Sequence, residues 1–207
     1  MSPRVTATLF LSLALAGCGG LTSRSPVEQL YVLHPAAEPV EGPVVAATLQ
    51  VLRPVAQAGL DTSRIALVQP GNRLDYFAGG RWAGPLEQVV ESMLVQTLRG
   101  SGRFAQVASD GAGMGADLVL AVTVRRFEAD YAGVEVAPVA KVRLECTLSS
   151  RRTHAQVAGF DIETSVAAGA NRLGSVVAAL EKAAQDATRQ LVRRVAEIGP
   201  GPVSPAR

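Results

Sequence analysis

The strictest pattern in this sequence is an alternation of apolar and polar residues between positions 139 and 149. From position 140 onward the even positions are apolar and the odd ones polar or charged: Val142, Leu144, Cys146 and Leu148 against Lys141, Arg143, Glu145 and Thr147. A period of two places these sets on opposite faces of a β-strand. We therefore expect an antiparallel sheet with one packed face and one face open to water or a partner. Cys146 is expected on the packed face, as a small hydrophobe.

Other segments complete a pattern of strands, helix, strands, helix. Strands are predicted at 31–33, 47–55, 104–107, 117–128 and 155–166, and a hairpin from 64–68 and 74–77 around the turn Gln69-Pro70-Gly71-Asn72. Apolar residues spaced by three and four predict helices over 85–99 and from 173 to just before Gly199. The pattern predicts one α+β domain, with two amphipathic helices packed on one face of a mainly antiparallel sheet.

The first 17 residues have the character of an export signal. Arg4 precedes an uncharged, mainly apolar run that ends at Gly17, which is shorter than the ~20 residues of a membrane-spanning helix. The following tetrapeptide, Leu15-Ala16-Gly17-Cys18, resembles the bacterial lipobox. That resemblance implies cleavage before Cys18 and its modification by S-diacylglycerol and an N-palmitoyl chain, which together hold a protein durably at a membrane. An ordinary signal peptide with a chance cysteine is the alternative.

The sequence divides into four predicted parts. These are a lipoprotein signal peptide at 1–17, a lipidated N-terminus and linker at 18–44, a folded domain at 45–198, and a flexible tail at 199–207.

With 48% hydrophobic residues and a formal net charge of +2, the chain is too apolar for disorder and too weakly charged for a nucleic-acid binder. Gly19 follows the anchor where inner-membrane lipoproteins of enteric-type bacteria usually have Asp, so the outer membrane is favoured.

A search for reactive groups favours a non-catalytic protein. Gly111, Gly113 and Ala116 fit a relaxed dinucleotide motif, but a predicted strand follows them where the motif needs a helix. His34 and His154 lack neighbouring metal ligands in the sequence, and Glu87 and Glu91 fall on the polar side of a helix. We therefore predict no catalytic residue, no metal and no cofactor.

Two pairs of arginines remain without an assigned role. Arg125-Arg126 and Arg151-Arg152 fall at the ends of neighbouring predicted strands. In a membrane-tethered domain such cations can meet anionic headgroups or an acidic partner. Solvation of ordinary strand ends is the favoured explanation, and contact with headgroups or an acidic partner is the alternative.

Taken together, these features resemble the ABC-type transport auxiliary lipoprotein family. The resemblance covers nearly the whole mature chain, and its second half matches by the order of elements more than by residue identity. It rests on the lipobox and on a series of short motifs: Tyr31-Val32-Leu33, Pro54, Gly59-Leu60-Asp61-Thr62, Arg64-Ile65-Ala66, Leu74-Asp75-Tyr76-Phe77, Arg81-Trp82, Pro85-Leu86 and Phe104-Ala105-Gln106-Val107.

The resemblance implies a non-catalytic subunit on the periplasmic side of the envelope. Its partners would be an MCE-domain protein and the permease and ATPase of an ABC system that moves phospholipid between two membranes. Arg81 and Trp82 are the most recognisable family pair, expected either in the core or at an interface. An outer-membrane lipoprotein that assembles another envelope complex is the alternative function, and self-association stays open.

Overall fold

A computed structural model of the chain describes residues 28–36, 38–112, 115–133 and 137–199. The signal segment, Cys18 and the tail from residue 200 onward lie outside the described residues. The strands are β1 (Gln29–Tyr31), β2 (Val45–Val51), β3 (Val55–Ala56), β4 (Arg64–Gln69), β5 (Arg73–Trp82), β6 (Phe104–Ser109), β7 (Leu118–Asp130), β8 (Val139–Ser150) and β9 (Gln156–Ala167). The helices are α1 (Leu86–Gly100) and α2 (Leu173–Ile198).

The sheet is organised around β7. One edge of β7 pairs antiparallel with β8 along its whole length, and β8 pairs in the same way with β9. The other edge of β7 carries β2, β3 and β4 in turn, all parallel to it. β6 extends the sheet beyond β2, while β5 and then β1 extend it beyond β4. The result is a mixed sheet in which the long pairings are antiparallel.

Both helices pack on one face of this sheet, as the sequence predicts. α2 lies against β8 and β9, and α1 contacts β6 and α2. The even-numbered side chains of β8 face the helices and are almost fully buried, Cys146 among them at 1% exposure. Burial raises the pKa of the Cys146 thiol to about 12, with smaller contributions from Asp161 and Glu145. The prediction that Cys146 lies buried on the packed face is confirmed.

The predicted elements differ from the structure mainly where proline or a bulge intervenes. The single strand expected at 47–55 is broken around Pro54, which cannot donate a ladder hydrogen bond, into β2 and β3. The predicted hairpin is present, with left-handed backbone at Gly71 and Asn72 in its loop. Its second strand runs five residues beyond the predicted end, to Trp82.

The segment from residue 32 to 44, here called the strap, crosses the helices between β1 and β2. Glu181 of α2 accepts a 2.8 Å hydrogen bond from the His34 backbone N–H, and Thr97 Oγ1 of α1 accepts one from Ala36 N–H. Further on, the buried Arg103 donates to the carbonyls of Glu41 and Pro43 at 2.6 and 3.0 Å. These contacts hold the described part of the strap against the domain.

Candidate interaction surface

The face of β7, β8 and β9 that points away from the helices is dominated by charge. A bulge makes this possible, since Val124 pairs with Leu144 and Arg126 with Arg143, leaving Arg125 as the extra residue. The bulge turns Phe127 and Ala129 into the core and sends Arg126, Glu128 and Asp130 outward. Two consecutive arginines after the mainly apolar first half of the strand are the sequence signal of this change of face.

We call this surface the charged face and define it by nine side chains. They are Arg125, Arg126, Glu128, Asp130, Lys141, Arg143, Glu145, Asp161 and Glu163. In the register, Arg126 stands opposite Arg143, and Glu145 opposite Asp161, so like charges face each other directly. Such pairs are unfavourable on their own. The ion pairs run diagonally or along a strand instead, with Arg143 to Asp161 at 2.7 Å and Arg125 to Glu145 at 2.5 Å.

The most buried part of the charged face is a cluster around Asp130. This residue is 5% exposed and accepts hydrogen bonds from Lys141 Nζ at 2.7 Å, Arg126 at 3.0 Å and the Ala132 N–H at 2.7 Å. Burial works to raise the pKa of Asp130, but these donors outweigh it and hold the pKa below its ordinary value. Burial likewise opposes the charge of Arg126, whose pKa is nevertheless raised by Glu128 and Asp130.

A cleft of about 540 Å³ opens on the charged face. Its apolar wall consists of Leu60, Val68 and Leu74, and its charged wall includes Arg125, Arg126, Arg143, Glu128 and Glu145. Tyr76 fixes the loop above it, since its hydroxyl donates to the Gly59 carbonyl at 2.8 Å while Arg64 lies 3.9 Å over its ring. The charged side chains of this wall already form ion pairs on the charged face, among them Arg125 with Glu145 and Arg126 with Glu128. This arrangement suits contact with a polar protein surface better than capture of a single ion.

The pair Arg81 and Trp82 is divided between two environments. Trp82 is 1% exposed and meets Phe127 edge to face, with ring centroids 5.7 Å apart. Arg81 points outward, where its Nε lies 2.8 Å from a carboxylate oxygen of Glu28. The tryptophan therefore belongs to the core, and the arginine is accessible from outside.

The remaining sequence candidates do not converge. Arg125-Arg126 lie within β7, whereas Arg151-Arg152 lie in the β8–β9 turn beside the opposite end of β7. The expectation that both pairs lie at neighbouring strand ends is wrong, because antiparallel pairing places the end of β8 beside the start of β7. Glu91 pairs with Arg53, and His34 with Glu181.

Across the described ranges, no three His, Cys, Asp or Glu side chains form a group that could hold a metal ion. In the same part of the chain, neither helix combines the length and apolar character that crossing a bilayer requires.

Comparison with known proteins identifies the family. A model of the ABC-type transport auxiliary lipoprotein component matches residues 31–192. The chain belongs to this family. The match includes Arg81, Trp82 and the whole charged face of this auxiliary lipoprotein. The family description, an auxiliary component of transport, fits a domain whose conspicuous surface is an array of ion pairs.

Solved structures share the fold. A Xanthomonas campestris protein of the DUF330 family is 29% identical, with a TM-score of 0.76 over 82% of this auxiliary lipoprotein and 96% of that chain. A hypothetical protein from Chlamydia trachomatis is 11% identical, with a TM-score of 0.53 over 74% of this chain and 97% of the other. The second likeness concerns the fold alone. A comparison with curated proteins gave no match.

Proposed function

We propose that this auxiliary lipoprotein is a non-catalytic subunit of an MCE/ABC-type system that transfers phospholipid between two membranes. The observation that carries the proposal is the family match over residues 31–192, which covers the domain from the end of β1 into the last turns of α2. Cys18, ten positions before the first described residue, Glu28, supplies the anchor through S-diacylglycerol and an N-palmitoyl chain. The protein then works on the periplasmic side, with the outer membrane favoured by Gly19.

The charged face is the docking surface that we assign to the MCE-domain protein. It is the open side of the three longest strands, and its side chains are held in fixed positions by mutual ion pairs. Charged groups in fixed positions give specificity to a protein contact because a wrong partner places like charges against them. The ATPase and permease then need no contact with this surface.

Recovery of partners from gentle detergent extracts tests the proposal. Tagged protein should retain the MCE-domain protein and permease of its own system, and Arg143→Glu should lose most of that recovery because it faces Asp161 with a second acid. Arg194→Glu is the matched control, an exposed arginine on α2 with a distant Glu197 partner. Equal recovery by both variants would remove the charged face from the interface.

The anchor is tested separately. Cys18→Ala should abolish acyl labelling and release the protein from membranes, while leaving its domain folded. If recovery finds other envelope proteins but neither an MCE protein nor a permease, the alternative of an assembly module for another envelope complex replaces the transport function.

A further inference from the structure

The folded domain begins with β1, an edge strand whose outer side exposes large aliphatic side chains. In β1, Tyr31 faces the core beside Trp82, while Leu30 is in register with Arg81 on the outer side. Leu30 is 60% exposed and Val32, just after the strand, is 53% exposed. We call Leu30, Val32 and Arg81 the β1 rim.

Two neighbouring features make the β1 rim a defined surface. Gly80 lets Tyr31 and Leu173 close in behind the strand, since a Cβ there would lie 2.8 Å and 2.6 Å from their side-chain carbons. Val32 also lines a shallow groove of about 250 Å³ beside Ala83 and Val89. Exposed aliphatic groups next to a guanidinium match the chemistry of a lipid headgroup region, where apolar groups enter and cations meet phosphate.

The length of chain before β1 decides which partner reaches this surface. Glu28 lies ten positions after Cys18, and a fully extended chain of that length spans at most about 35 Å. The acyl chains therefore hold the start of β1 near the bilayer, whereas the two similarly exposed valines lie farther along the chain, Val44 at the end of the strap and Val55 in β3.

We propose that the β1 rim rests on the lipid surface of the membrane that holds Cys18, with Leu30 and Val32 among the headgroups. This inference rests on the proposed acylation of Cys18. In this orientation Arg81 exchanges part of its pairing with Glu28 for lipid phosphate, and the charged face on β7, β8 and β9 stays clear for a protein.

Environment-sensitive labels on the acylated full chain test this orientation. Leu30→Cys, Val32→Cys and the control Val44→Cys are labelled with a nitrobenzoxadiazole dye and reconstituted into phosphatidylethanolamine and phosphatidylglycerol vesicles. Acylation occupies Cys18, and the buried Cys146, whose thiol pKa is raised to about 12, stays unlabelled at neutral pH. We expect a blue shift and strong quenching by headgroup spin-labelled lipid at positions 30 and 32, and neither at 44.

The possible failures are distinguishable. If the chain floats with the vesicles but its labels at 30 and 32 stay as water-exposed as the label at 44, the lipid contact is overturned and the anchor stands. The same holds if the labels become shielded only after a protein partner is added. If the unmodified chain does not float with the vesicles, the proposed acyl anchor fails instead. Far-ultraviolet circular dichroism verifies that each variant is folded.

Discussion

At the scale of single residues, the informative position is Asp130. It is a buried carboxylate on the charged face, and it is tolerated there because three donors compensate the loss of water. On the same face, Asp161 is 49% exposed and, among the described residues, pairs with Arg143 alone. We therefore expect the two aspartates to contribute different amounts to the free energy of unfolding.

We predict that Asp130→Asn lowers the free energy of unfolding by about 1.5–3 kcal/mol near neutral pH, because bonds from two cations to a charged acceptor are weakened. Asp161→Asn should cost no more than about 1 kcal/mol, as is usual for exposed pairs. Urea unfolding of the two variants measures the difference. Equal losses would show that burial of Asp130 does not strengthen its pairs.

The pH dependence of this effect has a definite sign. The folded-state pKa of Asp130 is lowered, so its contribution is complete above the unfolded value of about 3.9. The contribution is lost as the pH falls through the lower folded-state pKa. We expect the difference in stability between the wild type and Asp130→Asn to shrink in that acid range, as followed by urea unfolding at successive pH values. A difference that grows with acidity would contradict this assignment.

At the scale of elements, the strap shows how a segment without regular structure is held in place. Arg103 is 7% exposed and binds two strap carbonyls, and Gly42 leaves the room that its guanidinium fills, since a Cβ there would lie 2.6 Å from it. Gly42 also has φ of 130°, a conformation that glycine adopts easily. The hydrogen bonds of Arg103 to the strap and the space left by Gly42 therefore form one local unit.

We predict that Arg103→Met loosens the strap more than it destabilises the whole domain. Amide hydrogen exchange of Val40 and Val45 should become faster, because the carbonyls beside them lose their donors while β7, β8 and β9 keep theirs. Arg99→Met is the control, since Arg99 donates one hydrogen bond to the Val107 carbonyl at an exposed position. Uniformly faster hydrogen exchange across the sheet would mean that the hydrogen bonds of Arg103 support the global fold instead.

Elements also show what the sequence can predict and why. The alternation at 139–149 and the helical spacing after Pro85 were sufficient for β8 and α1, because each pattern reports which side of one element is buried. The parallel pairings of β2, β3 and β4 with β7 could not be predicted, since period-two patterning does not identify a partner strand. The sequence predicts a linker for the strap because a proline-rich, aperiodic segment gives no indication of its contacts. Those contacts come from residues 60 or more positions away, such as Arg103.

The candidate surface, too, can be predicted from the sequence only in part. The open, charged side of β8 followed from its odd positions, but its contribution from β7 depends on the bulge at Arg125. The division of Arg81 and Trp82 between outside and core follows from their adjacent positions in a strand, yet only the pairing of β1 with β5 places Leu30 beside Arg81.

At the scale of the whole molecule, one thiol reports whether the helix layer and the sheet separate. Cys146 lies at 1% exposure beneath α2 in the middle of β8. In a chain carrying Cys18→Ala, we predict that Cys146 reacts with a disulfide reagent only as fast as the domain unfolds globally. Labelling rates that follow the free energy of unfolding across a urea series confirm this. Fast labelling in the absence of denaturant would instead reveal a local opening between α2 and β8.

The charged face has a kinetic consequence for any complex it forms. Its four cations and five carboxylates nearly cancel, so little field extends beyond the physiological Debye length of about 8 Å. A partner is therefore not steered toward it, and association falls in the unsteered range of about 10⁵–10⁶ M⁻¹ s⁻¹, with weak dependence on salt. In the proposed transport system, confinement of both proteins between two membranes would replace the long-range attraction that brings freely diffusing pairs together.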